Sequence, residues 1–390
     1  MEFFDAVVVG GGPSGATAAD VLARAGKQVL LLDKAGRIKP CGGAIPPRLI
    51  RDFEIPDELL CARIRAARMT APSKTDVDMP IDGGFVGMVD REKFDEWLRV
   101  RAADHGATRR EGTYERISRD DGVATVHYRE RGGAPRAVYT SLVIGADGAL
   151  SQVARQEVNP NGPPCVFAYH EIVEAPEAQA GYDGARCDVV YDGGISPDFY
   201  GWVFPHGKTV SIGSGSAVKG FGLRPSVARL RERAGLSAAR TVRGEGAPIP
   251  MKPLGRWDNG KDVVLAGDAA GVVAPASGEG IYYAMVGGQL AAEAGLEQLE
   301  TCDGRALKLA RKRFMRAHGR VFFILGVMQY FWYSSDARRE RFVKMCRDPD
   351  VQALTWQAYM NKELVKAKPK AHVRIFFRDV AHLLGFGTPS

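Results

Sequence analysis

The first 34 residues constrain the fold of this chain more than any other segment. From residue 3 to residue 34 they read FFDAVVVGGGPSGATAADVLARAGKQVLLLDK, which is an apolar run, a glycine turn, a helix-forming segment and a second apolar run. This order is typical of the strand–turn–helix–strand unit that binds a dinucleotide. We therefore predict a buried strand over residues 4–9, a helix over about 14–25 and a second strand over 29–32.

The glycine turn of this unit has three glycines at the spacing that a pyrophosphate requires. Gly10 gives the tight turn, Gly12 lets the backbone approach the phosphates, and Gly15 lets the helix pack closely on the strand. Pro13 and Ser14 open the helix, whose unpaired amides and dipole favour negative charge. We predict that all five residues belong to the cofactor site.

The second strand ends in an acidic residue where a ribose-binding carboxylate is expected. Asp33 lies 18 residues after Gly15, close to the usual spacing of about 20, and Lys34 follows it. Glycine-rich turns often bind nothing, but a turn with both strands, the helix and the acid predicts a bound nucleotide. These residues leave open whether the nucleotide is a nicotinamide or a flavin.

Two later segments repeat the pattern of a strand that ends in glycine and aspartate. SLVIGADGALSQVAR, residues 141–155, contains Asp147, and KDVVLAGDAAGVVAPASGEGIYYAM, residues 261–285, contains Gly267 and Asp268. Each such pair alone is usually an ordinary turn. Ligands bind at the carboxyl ends of parallel strands, so we expect both aspartates to lie near the first turn.

Taken together, the three segments resemble the FAD-dependent oxidoreductases of the glutathione-reductase-like, para-hydroxybenzoate-hydroxylase type. The resemblance implies FAD, with Asp268 at the ribityl chain and the helix after Gly278 and Gly280 pointing its N-terminus at the flavin ring. DREKFDEWL, which contains Arg91, resembles the segment that lies along the cofactor in that family. We predict that Asp147 also belongs to the cofactor site.

Length and composition agree with an enzyme built from more than one unit. A chain of 390 residues with 45% hydrophobic composition exceeds the size at which one core stops growing. We predict an α/β fold with a discontinuous FAD-binding domain, an antiparallel substrate-binding sheet domain and a helical C-terminal region. Their predicted bounds are 1–64, 90–165 and 255–300 for the first, 65–89 and 166–254 for the second, and 301–390 for the third.

Local patterns refine this outline. We predict a linker rich in proline and glycine over 34–64, a helix over 90–105, strands over 108–143 and 166–243, and mainly helix from Gly278 onward. The six cysteines form no CxxC pair and no zinc spacing, so we expect a reducing cytosol and no metal. Because the first strand begins at once, we also expect no signal peptide.

Two motifs indicate a specific chemistry. SPDFYGWVFPHG spells PxxYxWxFP, and the period of a strand places Tyr200, Trp202 and Phe204 on one face. That face forms an aromatic wall suited to an extended hydrocarbon, although alternating aromatics are as often the buried side of a sheet. KPCGGAIPPRLI places Cys41 on a glycine-rich loop after Asp33, where it can reach the flavin edge.

The chain resembles the geranylgeranyl reductase family in these two motifs and in FDAVVVGGGPSGATAA and GDAAGVVAPASGEGIYYAM. Within that family it resembles most closely the geranylgeranyl-bacteriochlorophyll reductases of photosynthetic bacteria. The resemblance covers nearly the whole chain. It implies saturation of three of the four double bonds of a geranylgeranyl chain to phytyl, on geranylgeranyl-bacteriochlorophyll or geranylgeranyl diphosphate. NADPH is the electron donor that the resemblance implies, and reduced ferredoxin is the alternative.

An isolated alkene needs a proton as well as a hydride, so the site must contain an acid. The predicted catalytic residues are Cys41 and Tyr200, with Tyr282 a further candidate and His170 a weaker one. We predict that Tyr200, Trp202, Phe204 and Tyr282 bind the substrate, and that the aromatic faces stabilise developing positive charge.

The segment VFFILGVMQYFWY, residues 321–333, has no charge and is flanked by arginines on both sides. It is too short to span a bilayer, which needs about 20 residues. It is suited to an interface with anionic lipid, or to a buried helix that closes the substrate tunnel. With a net charge of +7, we predict peripheral association with the cytoplasmic face of the photosynthetic membrane, and no nucleic-acid partner.

Two other functions remain possible on these residues. One is an FAD-dependent aromatic monooxygenase of the same fold, in which the reduced flavin reacts with oxygen. The other is a prenyl-binding escort protein without catalytic activity. The aromatic wall and Cys41 speak against the first, and the intact glycine turn with Asp33 and Asp268 speaks against the second.

Overall fold

The computed structural model describes residues 2–34, 36, 38–120, 122–177 and 182–362. Its strands are β1 (Phe3–Val9), β2 (Val29–Asp33), β3 (Ala44–Ile45), β4 (Leu60–Ile64), β5 (Ala66–Thr70), β6 (Asp76–Pro80), β7 (Val86–Val89), β8 (Thr108–Asp120), β9 (Val123–Glu130), β10 (Pro135–Gly145), β11 (Cys165–Glu174), β12 (Arg186–Val190), β13 (Gly201–His206), β14 (Thr209–Ser216), β15 (Thr241–Pro250) and β16 (Val263–Leu265). Its helices are α1 (Pro13–Arg24), α2 (Pro47–Asp52), α3 (Arg91–Asp104), α4 (Gln152–Glu157), α5 (Leu223–Arg233), α6 (Ile281–Thr301), α7 (Lys308–Trp332), α8 (Asp336–Met345) and α9 (Pro349–Asn361).

The first unit is built on a six-stranded sheet whose pairings are mainly parallel. β1 pairs in parallel with β2 and β10, β2 with β8, and β10 with β16, whereas β9 pairs antiparallel with β8 and β10. The central strands are apolar on both faces because helices α1 and α6 cover the sheet, and Val7, Leu30 and Val143 are fully buried. The predicted strand–turn–helix–strand unit is therefore confirmed, within one residue at each boundary.

A second sheet packs beside the first, in the order β15-β11-β14-β13-β12-β5-β6. Its strands pair antiparallel except for β12 and β5, which run parallel. Strands β5 and β6 thus join the strands of the later segment, 166–254, in one sheet. The fold class predicted from the sequence is confirmed.

Two segments differ from the prediction. The segment 34–64, predicted as a linker, contains α2 and the strands β3 and β4, which pair with β7 in a small third sheet. The segment 166–243, predicted as strands only, contains helix α5. Val227 and Leu230 of α5 are buried at helical spacing against the second sheet, so tertiary packing stabilises a helix in a sequence that has no strong cap.

The chain from α6 to α9 is helical, as predicted. Helix α6 and the first part of α7 pack in the core of the first unit. Trp332, Tyr333 and Val343, farther along the chain, join a buried cluster with Tyr200 and Trp202 of the second sheet. No helix within the described ranges is long and apolar enough to cross a membrane. The part of the predicted helical region beyond residue 362 lies outside the described residues.

Candidate functional site

The three glycines of the first turn have different surroundings. Gly10 has a φ of +106°, and a Cβ there would lie 2.3 Å from the Ala146 carbonyl oxygen. A Cβ on Gly15 would lie 1.8 Å from the Gly10 carbonyl oxygen. A Cβ on Gly12 would meet no atom within 4 Å, so Gly12 borders open space in front of α1. Gly10 and Gly15 serve close packing, and Gly12 leaves room for a ligand.

The N-terminus of α1 provides the groups that a phosphate requires. Pro13 lies in the first turn, no acidic residue is present there, and Gly12 is the N-cap residue. The hydroxyl of Ser14 is buried and has no hydrogen-bond partner within the described part of the chain. An open space with unpaired donors at a helix N-terminus fits the pyrophosphate of FAD.

Asp33 lies at the end of β2 with its carboxylate only partly covered, 29% exposed. The guanidinium of Arg99 contacts it at 3.4 Å and also donates to the Gly11 carbonyl oxygen at 3.1 Å. Lys34 follows with its side chain exposed, and its backbone amide donates to Asp33 Oδ1 at 2.8 Å. The sequence analysis missed Arg99, whose position in a charged helix gives no local signal of this contact.

The end of β16 approaches the same helix. The turn Gly267–Ala270 follows β16, and a Cβ on Gly267 would lie 2.9 Å from the Ser14 hydroxyl. Asp268 is buried and forms an ion pair with the Lys39 ammonium, a partner that the sequence analysis did not assign. The first and third predicted segments therefore meet, as the parallel-sheet argument requires.

Asp147 of the second segment lies beside the first turn, since a Cβ on Gly10 would be 2.9 Å from the Asp147 amide nitrogen. Its carboxylate accepts hydrogen bonds from the Gln152 and Val153 amides at 2.7 and 3.2 Å and from the Ser151 hydroxyl. Both oxygens are thus occupied by the N-terminus of α4. These contacts give the Asp147 side chain a structural role at α4, and its role at the cofactor stays a prediction.

A cavity of about 370 Å³ extends from the cofactor side into the space between the second sheet and the C-terminal helices. Its cofactor end is bordered by Pro13, Cys41, Arg91 and Asp268. Apolar side chains line the rest. They include Met69, Met79, Val189, Tyr191, Phe199, Tyr200, Trp202, Phe204, Leu325, Met328, Phe342, Met345, Trp356 and Tyr359.

Arg91 begins α3 and lies almost completely buried beside the cavity. Its guanidinium donates two hydrogen bonds of 2.7 Å to the Asp95 carboxylate, and it also faces Cys41. Burial alone would lower the pKa of Arg91, but Asp95 and Cys41 outweigh it and raise that pKa. A fixed positive charge therefore lies at the cofactor end of the cavity.

The aromatic wall predicted from the sequence lines this cavity. The ring centroids of Tyr200 and Trp202 are 6.1 Å apart, and those of Trp202 and Phe204 are 6.5 Å apart. The Tyr200 hydroxyl donates to the Ser277 carbonyl oxygen at 2.6 Å. Burial raises the pKa of Tyr200 well above its usual value, so this phenol is a poor proton donor.

Cys41 lies on the loop that faces the wall. Its sulfur accepts a hydrogen bond from the Gly43 amide at 3.3 Å, and the side chain is only partly buried. A Cβ on the adjacent Gly42 would lie 3.0 Å from the Phe204 ring, so the loop packs directly on the aromatic wall. The loop brings Cys41 and the wall to one cavity.

Tyr282 does not belong to this wall. Ile281 and Ala284 of α6 border the cavity, but Tyr282 is not among the described residues that line it. Its ring packs against Tyr283 and His318, with centroids 5.2 and 6.1 Å away. Within the described residues the Tyr282 ring thus lies beside His318 and not along the cavity, and the substrate contact predicted for it stays a prediction.

The loop before α6 borders the cavity. Gly278 has a φ of +64°, and a Cβ there would lie 3.1 Å from the Tyr200 hydroxyl. Gly280 is the N-cap residue of α6 and also borders the cavity. Between them, Glu279 caps α6 through the Tyr282 amide at 2.9 Å and forms a buried ion pair of 2.8 Å with Lys362.

Comparisons with known proteins extend this description. The family described as FAD binding domain matches residues 4–160. The chain is 58% identical to a geranylgeranyl diphosphate reductase of Rhodobacter capsulatus over 99% of both chains. It is 34% identical to a protein of the same name from Synechocystis, over 97% of both.

A solved structure has the same fold along nearly the whole chain. This protein of Thermoplasma acidophilum, described as geranylgeranyl bacteriochlorophyll reductase-like, superposes with a TM-score of 0.81 at 22% identity. The match covers 94% of this chain and 98% of the other. At that identity the likeness supports the fold alone.

Proposed function

The chain belongs to the geranylgeranyl diphosphate reductase family, and we propose from its cavity how it carries out the reaction of that family. It is an FAD-dependent oxidoreductase that reduces a geranylgeranyl chain. The relatives that cover its full length do not favour the aromatic monooxygenase or the escort protein. The observation that carries the proposal is the apolar cavity, which runs from the cofactor residues along Tyr200, Trp202 and Phe204.

The cofactor is held at the carboxyl ends of β1, β2 and β16. Gly12 and Ser14 bind the pyrophosphate, Asp33 with Arg99 binds the ribose, and Asp268 binds the ribityl chain. When bound, FAD supplies the hydride for the alkene. The buried charge of Arg91 lies at the cofactor end of the cavity, where it stabilises negative charge.

The geranylgeranyl chain lies extended along the aromatic wall. Burial of its apolar surface contributes roughly 25 cal/mol per Å², which favours an extended chain along the apolar lining. The wall has no side chain that fixes one position along the hydrocarbon, so the chain can slide to present successive double bonds. Three of them are reduced in steps to give phytyl.

The proton comes from the Cys41 side of the cavity. The Tyr200 hydroxyl is committed to the Ser277 carbonyl and has a raised pKa, so Tyr200 binds the chain and does not protonate it. Cys41 is partly buried, lines the cavity and faces the wall, so we assign it the role of proton donor. The faces of Trp202 and Phe204 stabilise the positive charge that develops on the alkene carbon.

We propose NADPH as the electron donor, with reduced ferredoxin as the alternative, and geranylgeranyl-bacteriochlorophyll as an acceptor beside the diphosphate. A substrate with a geranylgeranyl chain partitions into a membrane. The basic and apolar outer face of α7 therefore rests on the cytoplasmic face of the photosynthetic membrane.

One experiment tests the function directly. The purified protein is incubated without oxygen with geranylgeranyl diphosphate or geranylgeranyl-bacteriochlorophyll, with either NADPH or reduced ferredoxin. Mass spectrometry should show products that gain two hydrogens at a time and stop after three steps. Unchanged substrate in all four combinations, with FAD bound, would refute the proposed function.

A further inference from the structure

Glu245 on β15 has contact with two separate spaces. It lines the apolar cavity, and it also lines an open groove of about 800 Å³ on the protein surface. Tyr169, Arg224, Gly244 and Gly246 border the groove around it. The side chain of Glu245 is 25% exposed, so this residue is partly open to solvent while it also borders the cavity.

His170 on β11 stands next to Glu245 and is buried in the cavity wall. Its Nδ1 lies 3.0 Å from the Ser211 hydroxyl, which also accepts a hydrogen bond of 3.2 Å from Trp202 Nε1. An indole N–H only donates, so the hydroxyl hydrogen of Ser211 is left to donate to His170 Nδ1. The proton of the neutral imidazole then lies on Nε2.

His170 Nε2 lies 3.8 Å from Glu245 Oε1. Both atoms are buried, and neither makes a hydrogen bond of good geometry within the described ranges, although Oε1 lies in an ion pair with the Arg243 guanidinium. A small rotation of either side chain closes a gap of this size to a hydrogen bond. His170 and Arg243, whose Nε lies 2.8 Å from Glu245 Oε1, hold the pKa of Glu245 below its usual value despite its burial.

The reaction creates a need for such a group. Each saturated double bond takes up one hydride and one proton, and the proton must come from solvent. The cavity lies between the aromatic wall and the helices α7 to α9, and its lining is mainly apolar. A repeated reduction in a mainly apolar cavity is therefore helped by a titratable side chain that borders both the cavity and the surface groove.

We infer that Glu245, positioned by His170, carries protons from the surface groove into the cavity, an inference that rests on the proposed function. The O–H bond of protonated Glu245 breaks on the cavity side, and the proton forms the S–H bond of Cys41 again after Cys41 has protonated the alkene. The Glu245 carboxylate then takes a new proton from water in the groove. Reduced FAD, when bound, would supply the hydride, so each cycle consumes one proton from solvent.

The test uses single turnovers of the holoenzyme reduced with dithionite. The result then does not depend on which electron donor the protein uses. The variants are Glu245→Gln and His170→Gln, with Glu171→Gln as the matched control. Glu171 is on the same strand as His170. Its carboxylate forms an ion pair of 2.6 Å with Arg231 and does not belong to the described cavity lining. Flavin oxidation and the reduced products are followed with and without sodium formate, and in H₂O and D₂O.

We expect Glu245→Gln to keep FAD and substrate affinity, and to slow product formation at least tenfold. Its solvent isotope effect should rise, and formate should restore part of the rate because a small acid can enter from the groove. His170→Gln should slow the reaction less and should not respond to formate. Glu171→Gln should match the wild type.

The inference is overturned if Glu245→Gln turns over at the wild-type rate with the wild-type isotope effect. It is equally overturned if the variant is slow only because FAD or substrate binding is lost. If the wild-type protein itself reduces no geranylgeranyl substrate, the failure lies with the proposed function. The two failures are therefore distinguishable.

Discussion

Single side chains at the first turn decide whether the cofactor binds or the unit folds. We expect Gly12→Val to lower the FAD content of the purified protein at least tenfold, because the branched side chain enters the space in front of α1. The melting temperature without FAD should change little, since a Cβ on Gly12 meets no protein atom. The ratio of flavin to protein absorbance measures the first effect and thermal unfolding the second.

Gly255→Val is a suitable control for this variant. Gly255 is exposed, and a Cβ there also meets no atom within 4 Å. This control should retain its FAD. Full flavin occupancy in Gly12→Val would show that the pyrophosphate lies elsewhere.

Cys41 provides a second test at the scale of a residue. We expect Cys41→Ser to slow chain reduction and Cys41→Ala to slow it further, by roughly 10²-fold, because a hydroxyl is a weaker acid than a thiol and a methyl group donates nothing. Dihydro and tetrahydro products should accumulate, and FAD content should stay near normal. Product masses over time measure this.

Cys302→Ser controls for the loss of a thiol, since Cys302 is exposed at the end of α6. It should behave as the wild type. A Cys41→Ala enzyme that reaches the fully reduced product at the wild-type rate would remove Cys41 from the reaction.

Helix α7 is the element with two distinct faces. Leu325 and Met328 line the cavity, whereas Phe323, Val327 and Tyr330 on the opposite side are 73%, 53% and 85% exposed. The same outer stripe continues toward the N-terminus of α7 through three exposed basic residues, Lys312, Arg316 and Arg320. One face of α7 is therefore available for contact with lipid, and the opposite face lines the cavity, as each of the two functions considered for this segment requires.

We expect serine at positions 323, 327 and 330 together to weaken binding to anionic vesicles, because the apolar contact with lipid is lost. Flotation with vesicles that contain phosphatidylserine measures the effect. Replacing Arg316 and Arg320 by Gln should weaken it further, by about 1 kcal/mol per charge. Serine in place of the exposed Leu150 and Val242 is the control. Equal flotation of all variants would contradict lipid binding by the outer face of α7.

At the scale of the whole molecule, one buried ion pair joins the end of the described chain to the loop that faces the cofactor. Lys362 and Glu279 lie 2.8 Å apart with 4% of each side chain exposed, and Lys362 follows the last turn of α9. Burial lowers the pKa of Lys362, although Glu279 opposes this effect. The pair thereby ties α9, which carries Trp356 and Tyr359 of the cavity lining, to the N-terminus of α6.

We expect Lys362→Met to lower the free energy of unfolding by about 3–5 kcal/mol, because it leaves the Glu279 carboxylate buried and unpaired. The double variant Glu279→Gln with Lys362→Met should recover much of that loss. Denaturant unfolding measures both, and limited proteolysis should cut the C-terminal helices of the single variant first. Lys344→Met, which removes an exposed partner of Glu340, should cost no more than about 1 kcal/mol.

Much of the cofactor site could be predicted from the sequence because its signals are local. The turn Gly10 to Gly15, Asp33 and Gly267 with Asp268 each follow a strand directly, and a parallel sheet brings such ends together. Lys39, Arg99 and Glu245 could not be predicted, since each meets its partner through contacts between distant segments. Lys39 and Asp268, for example, are 229 residues apart.

The sequence by itself determined the alternation of strands and helices, the glycine turn and the aromatic wall, because these depend on periodicity and on backbone geometry within a few residues. Only the tertiary structure decided which faces of those elements meet. It directed Asp147 to a helix N-terminus, turned Tyr282 away from the cavity and placed Glu245 between cavity and groove. Side-chain direction across a packed interface depends on every element around it, and no local pattern contains that information.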